Sequence, residues 1–225
     1  MPIKNNNQEI IGAFQVLNKN NGVFTKGDED LLVAIGGSAS IALENAQLFE
    51  QQKELYKEQK VLFESFIDTL ATSIDARDKI TAGHSSRVKL YSMLLVEALG
   101  CDEKYKEIVE KAAILHDIGK IGIRDSVLQK EGKLTDEEYK HIQEHVKITH
   151  DILEKIHTSE DFKQITEIAC SHHEKFDGSG YYRHLSGEDI PYGGRILAVA
   201  DVFDAITSKR HYRDKMPIQN VIDIL

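Results

Sequence analysis

The sequence is poor in cysteine: its 225 residues include only Cys101 and Cys170. The spacing between these two matches no metal-binding pattern, so a structural zinc site built from thiolates is excluded. We expect two reduced thiols in the core of a cytoplasmic protein, because disulfides are rare in that compartment.

Long apolar runs are also missing, and the N-terminus has no positively charged segment followed by an apolar one. With 41% hydrophobic and 29% charged residues, the composition predicts a soluble globular chain without a membrane segment or signal peptide. A length of 225 residues suffices for one large core, or for one domain and part of another.

Positive charge is in deficit, and the formal net charge is −9. Such a chain repels a phosphate backbone, which argues against a DNA-binding protein. A small anionic ligand is still compatible with this balance, because metal ions and a few Lys or Arg side chains can create a local positive site.

The N-terminal part of the chain predicts a strand followed by a very long helix. Residues 9–18 (EIIGAFQVLN) alternate well enough for a strand, and a turn sequence follows at 20–22. Thr25 and Asp28 form a capping-box-like start. The helix that begins near Asp28 meets no clear stop signal before the seventies.

Apolar residues recur along this helix in a 3-4 pattern: Ile35, Ala39, Ala42, Ala46, Phe49, Tyr56, Phe63, Ile67 and Leu70. A second series, Ile41, Leu48, Leu55 and Leu62, repeats every seven residues. Sustained heptads favour a two-stranded coiled coil, so we predict a parallel homodimer through this helix. The alternative is a helix that packs on its own domain.

Side chains that commonly bind metals are scattered over the rest of the chain. The candidate ligands are His84, His116, Asp117, His145, His172, His173 and Asp201. Imidazoles and carboxylates without thiolates suit iron, manganese or zinc acting on water and phosphate. The set predicts a phosphohydrolase with two metal ions.

Four of these ligands form two adjacent pairs, at 116–117 and 172–173. Asp102 is the predicted N-cap of a helix that runs to Gly119, and another helix is predicted over about residues 161–172. A capping box that begins at Thr135 is predicted to open the helix of His145. Neighbouring side chains on a helix diverge by about 100°, so both members of a pair can bind only if the metals lie across that helix face. Ordinary packing gives no reason for two such pairs.

The residues alone leave some candidates open. A lone histidine such as His84 is more often a hydrogen-bonded structural residue than a ligand. His141, His145 and His150 share one predicted helix, and His145 lies on its inward face. Any of the three could be the ligand on spacing alone.

The last part of the sequence adds a buried carboxylate and a long loop. Asp201 lies in the apolar run RILAVADVFDAI, where an unpaired carboxylate would be costly. Asp204 is expected to contact a ligand side chain or to cap a helix. The glycine-rich loop at 172–195 lies between ligands, so we predict that it lines a substrate site rather than only connecting two helices.

Three segments in combination resemble the HD-GYP family: HDIGK at 116–120, HHEKFDGSGYY at 172–182 and AVADVFDAITSKRHYR at 198–213. Members of that family are HD-superfamily phosphodiesterases that hydrolyse the bacterial messenger cyclic di-GMP. The resemblance covers about residues 64–225 and implies a mainly α-helical, HD-type bundle.

Residues 2–50 resemble the C-terminal end of a GAF sensor domain, with its last strands and exit helix. The predicted organisation is therefore a partial GAF-like α/β domain at 1–48, a coiled-coil linker helix at 49–63 and an HD-GYP domain at 64–225. The chain is expected to begin inside the sensor domain and to stop before the last helices of the HD-GYP domain.

The resemblance also implies roles for single residues. It makes all seven candidates ligands of a non-haem centre, typically of iron or manganese, with His145 as the ligand of its helix and Asp117 as the bridge between two ions. Lys120 matches the lysine near the scissile phosphate. Positions that match contacts to the dinucleotide are Asp78, Gly180, Tyr181 and Arg210, with Arg195 and Arg213 as further candidates.

Two departures from the family pattern carry predictions. Some members have a glutamate four residues before the first ligand histidine and bind three metals; this chain has Ile80 there, so we predict a centre with two ions. The Gly-Tyr-Pro signature reads Gly180-Tyr181-Tyr182. Loss of the proline removes a constraint on φ, so we expect altered loop mobility or partner binding rather than lost chemistry.

The implied reaction is in-line attack of a metal-bridging hydroxide on cyclic di-GMP, which gives pGpG, and a second cleavage would give GMP. The alternative is a cyclic di-GMP-binding or protein-interaction signalling module with little turnover. A third interpretation, an HD nucleotidase acting on other phosphoesters, does not explain the loop from Asp177 to Arg195.

Overall fold

The computed structural model describes residues 1–5, 7–77, 83–156, 160–208 and 218–222. The chain divides into two compact units, Met1–Phe63 and Glu64–Leu225. Helix α1, Lys26–Asp75, begins in the first unit and ends in the second. The assignment of residues 1–48 to a GAF-like remnant and of 49–63 to a linker stays a prediction.

The first unit contains a small antiparallel sheet of β1, Pro2–Lys4, and β2, Ile10–Ala13. Ile3 pairs with Gly12 and is buried, and the Ser40 hydroxyl on α1 donates a hydrogen bond to the Lys4 carbonyl. The strand expected over 9–18 is shorter than predicted. Its partner β1 supplies only three residues, so the ladder cannot extend further.

The first unit leaves apolar residues of α1 exposed, including the heptad series Ile41, Leu48, Leu55 and Leu62. An 18-residue window of α1 has a mean hydropathy of 1.3 and is 11% buried, so by length and composition alone the helix could cross a membrane. The expectation that no apolar stretch reaches this length is wrong by that measure, because Leu, Ile and Ala outweigh the Gly and Ser between them. The lack of a membrane segment stays a prediction.

Helices dominate the second unit, which confirms the mainly α, HD-type prediction. After the end of α1 come α2 (His84–Ala98), α3 (Glu103–Leu115), α4 (Asp125–Leu128), α5 (Asp136–Leu153), α6 (Glu160–Ala169), α7 (Tyr192–Thr207) and α8 (Ile218–Ile222). Short 3-10 helices lie at Ile118–Gly122 and Gly187–Asp189.

Two helix starts follow the sequence signals closely. The Asp102 carboxylate accepts a hydrogen bond of 2.8 Å from the Tyr105 amide at the start of α3. Thr135 and Glu138 form a reciprocal capping box at the start of α5. These local contacts satisfy amides that have no partner within the helix.

The core of the second unit lies where α2 packs on α3 and α7, and α3 packs on α6. Val88 of α2, Val109 and Ala112 of α3, and Leu197 of α7 are fully buried there. Because these helices surround α3, residues on several of them can converge on its C-terminal end.

Candidate metal centre

The first ligand doublet follows a helix that ends earlier than expected. α3 ends at Leu115 rather than at Gly119, and Asp117 leaves the helical conformation, with φ −100° and ψ 7°. The backbone turns there, so His116 Nε2 and Asp117 Oδ2 lie 3.3 Å apart instead of diverging around a helix. His116 and Asp117 therefore follow the C-terminal end of α3 instead of lying on the side of the helix.

The second doublet also lies beyond its helix. α6 ends at Ala169 rather than near His172, because the chain tightens into turns: the amides of Ser171 and Glu174 donate to carbonyls three residues earlier. The rings of His172 and His173 have centroids 3.9 Å apart. As with the first doublet, leaving the helix lets adjacent side chains approach one site.

The other three predicted ligands come from three separate helices. His84 is the first residue of α2, His145 lies within α5 and Asp201 lies within α7. His84 Nε2 is 3.2 Å from Asp201 Oδ1, and His145 Nε2 is 3.3 Å from Asp117 Oδ1. The Asp117 carboxylate thus lies among the imidazoles, with one oxygen toward His145 and the other toward His116.

The structure brings all seven predicted ligands together. Their donor atoms form three groups that could each hold a metal ion: His145, His172 and His173; His84, His116 and Asp201; and His116, Asp117 and His172. Atoms within a group lie within 4.8 Å of one another. His116 and His172 each belong to two groups, so the sites share ligands. Their roles as ligands stay predictions.

Hydrogen bonds orient the histidine rings toward the centre. Nδ1 of His116, His145 and His172 lies 2.7, 2.6 and 2.6 Å from the carbonyl oxygen of the residue three positions earlier. A carbonyl oxygen only accepts, so each Nδ1 carries the proton. His84 Nδ1 lies 2.8 Å from the buried Asp204 carboxylate. Each ring therefore presents Nε2 inward, as ligating histidines do.

The ring nitrogens that face the centre are better placed to bind a cation than to hydrogen bond to one another. His145 Nε2 and His172 Nε2 are 3.4 Å apart, and burial lowers the pKa of both rings, so both are neutral. With a proton on each Nδ1, two lone pairs then face each other. His116 Nε2 is buried and makes no hydrogen bond within the described residues. Metal ions held by the three donor groups described above would satisfy these nitrogens.

The carboxylates supply the negative charge of the centre. Burial by itself raises the pKa of Asp117, but Lys120 and His116 hold it well below its usual range. The Asp201 carboxyl behaves in the same way: burial raises its pKa, but the hydrogen bond to His84 and the nearby histidines together lower it below its usual range. Both carboxylates therefore remain ionised and available to a cation at neutral pH.

Lys120 reaches the centre from the 3-10 helix after the first doublet. Its Nζ lies 2.7 Å from Asp117 Oδ2, and its side chain is 15% exposed. The Lys120 ammonium therefore lies beside the Asp117 carboxylate at the edge of the site. This position agrees with a role beside a bound phosphate, which stays a prediction.

An ion pair between the partly exposed Arg87 and the buried Asp204 supports His84 from outside the centre. The Asp204 carboxylate accepts hydrogen bonds from Arg87 Nε at 2.6 Å and from Arg87 Nη2 at 3.0 Å, as well as from His84 Nδ1. Burial alone lowers the pKa of His84, but Asp201 and Asp204 raise it to about 9 in the metal-free chain. Asp204 thus sets the orientation of the His84 ring.

Close backbone packing holds the first doublet against α5. The Thr149 hydroxyl donates to the His116 carbonyl at 3.0 Å and accepts from the Gly119 amide at 2.9 Å. A Cβ on Gly119 would lie 1.9 Å from the His145 carbonyl oxygen. Only glycine allows the turn that carries His116 and Asp117 to lie this close to the helix that carries His145.

The glycine-rich loop packs against the second doublet. A Cβ on Gly180 would lie 2.6 Å from the His173 carbonyl oxygen, and the Tyr181 ring lies 4.7 Å from the His173 ring, tilted by 31°. Glu174 is buried and accepts hydrogen bonds from the amides of Arg183 and Leu185 at 2.8 and 3.1 Å. The loop is thus anchored directly behind the ligands.

Tyr182 replaces the signature proline and has a φ of +91°. Proline is restricted to φ near −65°, so this loop conformation is incompatible with the family residue. The tyrosine ring lies 5.7 Å from the His150 ring, and the Arg183 guanidinium lies 5.5 Å from the tyrosine ring. The change thus alters the loop path as well as its side chain.

Of the remaining predicted contacts, only Arg195 lies within the described residues. Asp78, Arg210 and Arg213 lie outside the described residues, as does Ile80. Arg195 forms a two-bond ion pair with Glu188, with both N–O distances 3.0 Å. Its role as a substrate contact stays a prediction.

Some supporting residues were not found from the sequence. Arg87 was missed because its partner Asp204 lies 117 positions away, and no local pattern reveals such a pair. Glu174 was missed as well, although a glutamate directly after a histidine doublet was a usable signal. Both act on the site through other residues.

Most of the second unit matches a known protein family. The family described as "HD domain" matches residues 68–225. The chain is 39% identical over 188 residues to 3'3'-cGAMP-specific phosphodiesterase 2 of Vibrio cholerae, covering 83% of this chain and 34% of that protein. It is 42% identical over 149 residues to the cyclic di-GMP phosphodiesterase response regulator RpfG of Xanthomonas campestris, covering 66% and 39%.

A crystal structure of a cyclic GMP-AMP specific phosphodiesterase of V. cholerae is 33% identical, over 64% of this chain and 31% of that one. Its TM-score of 0.37 is too low for the folds to be compared. The chain spans 34% and 39% of the length of the two curated relatives above. The family match over residues 68–225 and these relatives show that the chain belongs to the HD-domain family and is of the HD-GYP type.

Proposed function

We propose that residues 64–225 form a metal-dependent phosphodiesterase that hydrolyses cyclic di-GMP to pGpG, with a second cleavage giving GMP. The observation that carries this proposal is the convergence of five imidazoles and two carboxylates, with their donor atoms directed inward, beside the Lys120 ammonium. Relatives named as cyclic di-GMP and 3'3'-cGAMP phosphodiesterases support a cyclic dinucleotide as the substrate.

Two divalent ions, iron or manganese, would be held by the seven ligands named above, with Asp117 between the two ions. Bound there, they would supply an acidified water and neutralise charge on the phosphate. No protein nucleophile is required.

The protein side chains would act around that centre. Lys120 would donate to an oxygen of the phosphodiester, adding positive charge where negative charge develops in the transition state. Tyr181, against the His173 ring, would contact the dinucleotide together with Gly180. Asp78, Arg195, Arg210 and Arg213 are proposed as further contacts to its phosphates or bases.

A cytoplasmic homodimer completes the proposal. The exposed heptad residues Ile41, Leu48, Leu55 and Leu62 support a parallel coiled coil through α1, because such a seam is buried when two helices pair. Other signalling proteins are the expected partners of the altered loop at Tyr182. Sedimentation analysis of the whole chain should give a dimer mass, and a monomer at all concentrations would contradict the coiled coil.

The decisive experiment is chromatographic analysis of products after anaerobic incubation with Fe²⁺ or Mn²⁺. Cyclic di-GMP and 3'3'-cGAMP should be compared side by side, because the named relatives divide between these substrates. Asp117→Ala should abolish turnover and leave the helical fold intact. Asp161→Asn is a matched control, because Asp161 pairs only with Lys104 at the surface among its described ion pairs.

The outcomes separate the candidate functions. Release of pGpG or GMP from cyclic di-GMP would establish the proposed activity, whereas cleavage of 3'3'-cGAMP alone would reassign the substrate. A folded, metal-loaded sample that cleaves neither compound would refute the enzyme and favour a binding or protein-interaction module. Near-normal turnover by Asp117→Ala would refute the central role of that carboxylate.

A further inference from the structure

Arg77 joins the end of α1 to the turn that carries Lys120. It lies two residues beyond the last residue of α1. Its Nη1 donates hydrogen bonds to the carbonyls of Lys120 and Ile121 at 3.2 and 3.0 Å. Its Nη2 donates to the Ile123 carbonyl at 3.1 Å and to Asp125 Oδ1 at 2.7 Å.

These carbonyls lie where the backbone needs a donor. The 3-10 helix ends at Gly122, and the last carbonyls of a helix have no partner within it. The Lys120 carbonyl already accepts from the Ile123 amide at 3.0 Å. The flat guanidinium of Arg77 satisfies further carbonyls with two nitrogens at once, a geometry that a lysine ammonium cannot reproduce.

Arg77 is itself held in place at both ends. Its amide donates to the Ile74 carbonyl at 3.0 Å, which continues the last turn of α1. Its carbonyl accepts from Gln129 Nε2 at 2.9 Å. The side chain is 32% exposed. The guanidinium therefore extends from an anchored backbone rather than from a free loop.

The last turn of α1 also contacts the segment that begins with His84. The buried Asp75 carboxylate accepts from the Ser85 amide at 3.1 Å and from the Ser85 hydroxyl at 2.9 Å. The N-cap residue of α2 is Gly83, which has no side chain to cap the helix, so Asp75 caps it from α1. The end of α1 thus supports the site on two sides.

We propose that Arg77 is a positioning residue that sets the place of Lys120 by holding the carbonyls of its turn. The proposal rests on the proposed function, because it assumes that Lys120 acts on the phosphate. A shift of the end of α1 would move the lysine relative to Asp117. Catalysis is sensitive to such shifts, since a displacement of about 1 Å can cost on the order of 100-fold in rate.

The test uses the whole chain with Arg77→Lys, which keeps the positive charge but removes the two guanidinium nitrogens that donate to the carbonyls. Asp125→Asn is the matched control: it weakens the only carboxylate contact of Arg77 among the described residues and leaves the three carbonyl contacts. Hydrogen exchange, measured by mass spectrometry on the peptide that contains residues 118–124, should become faster in Arg77→Lys and stay unchanged in Asp125→Asn. Bound metal, measured by elemental analysis, should be unchanged in both.

Turnover then tests whether Arg77 acts through Lys120. We expect Arg77→Lys to lower kcat on the order of 10- to 100-fold, with KM little changed. In the Lys120→Met background the same change should add almost no further loss, because the lysine to be positioned is gone. A residue that only stabilises the fold would lower both backgrounds equally.

Each result has a definite reading. Unchanged exchange in Arg77→Lys, or losses that simply multiply in the double variant, would overturn the positioning role. If the folded, metal-loaded wild-type chain cleaves no cyclic dinucleotide, the proposed function fails and the positioning role for the phosphate fails with it. Faster exchange in Arg77→Lys would then leave only a structural contact.

Discussion

Replacing Asp204 with asparagine should weaken metal binding without unfolding the chain. Asp204 is 1% exposed, and its two oxygens serve His84 and Arg87 together. Asparagine has nearly the same shape but offers one oxygen and one amino group. The remaining oxygen should face the charged Arg87, because hydrogen bonds to charged groups are the stronger ones.

The amino group would then face His84 Nδ1. Two donors cannot bond to each other, so in the neutral form of His84, the form that binds metal, the single ring proton should move from Nδ1 to Nε2. Nε2 is the atom that lies 3.2 Å from Asp201 Oδ1 and faces the centre, and a protonated nitrogen cannot bind a metal. Loss of such a supporting partner typically costs about 10- to 100-fold in metal affinity, which equals about 1.4 to 2.8 kcal/mol.

The assay is competition between the protein and a chromophoric chelator for Mn²⁺. Asp161→Asn serves as the isosteric control on the surface of the same unit, and circular dichroism monitors the fold. An Asp204→Asn protein that is folded and binds Mn²⁺ as tightly as the wild type would refute the argument that Asp204 sets the His84 tautomer.

Three further changes test the geometry around the centre. Gly119→Ala should lower the free energy of unfolding by about 3 kcal/mol or more, because its Cβ would lie 1.9 Å from the His145 carbonyl oxygen; an unchanged urea midpoint would contradict this packing. Tyr182→Pro should lower the melting temperature and Tyr182→Gly should not, because glycine accepts a φ of +91° and proline does not; equal melting temperatures would argue against this loop conformation. The metal-free chain should lose stability from pH 7 to pH 5. Burial lowers the pKa of His173 from 6.5 to about 3. As the pH falls below 6.5, His173 is therefore protonated in the unfolded chain before it is protonated in the folded chain. The contribution of neutral His173 to the free energy of unfolding, present above pH 6.5, is lost as the pH falls toward 3. The pKa of His84 is raised to about 9, which stabilises the folded chain, but this contribution is already complete below pH 6.5 and cannot offset the further loss from His173. A urea midpoint that rises on acidification would contradict the burial of His173.

In the second unit, the candidate metal ligands were predictable mainly from residue types and motif combinations. Seven histidines and aspartates could be named as ligands because their chemistry is visible in the sequence and the HD-GYP resemblance chose His145 over its neighbours. Helix starts at Asp102 and Thr135 were equally accessible, because a cap depends on residues only three positions apart.

The ends of the helices before the two ligand doublets were not predictable in the same way. Periodic apolar residues suggested that each helix continues to its ligands, but α3 ends at Leu115 and α6 at Ala169. These ends depend on contacts with other helices, such as the Thr149 hydroxyl that bonds to both His116 and Gly119. Propensity within one segment does not contain that information.

The sequence by itself determined which side chains can bind metal, where several helices begin and that the second unit is helical. Those features follow from side-chain chemistry and from neighbours a few positions apart. Tertiary structure alone decided the inward direction of Nε2, the Asp204–Arg87 pair that orients His84 across 117 to 120 positions, and the contact of Arg77 with the Lys120 turn. Such contacts depend on the packing of segments that are distant in sequence, and no periodic pattern of residues in the sequence reveals them.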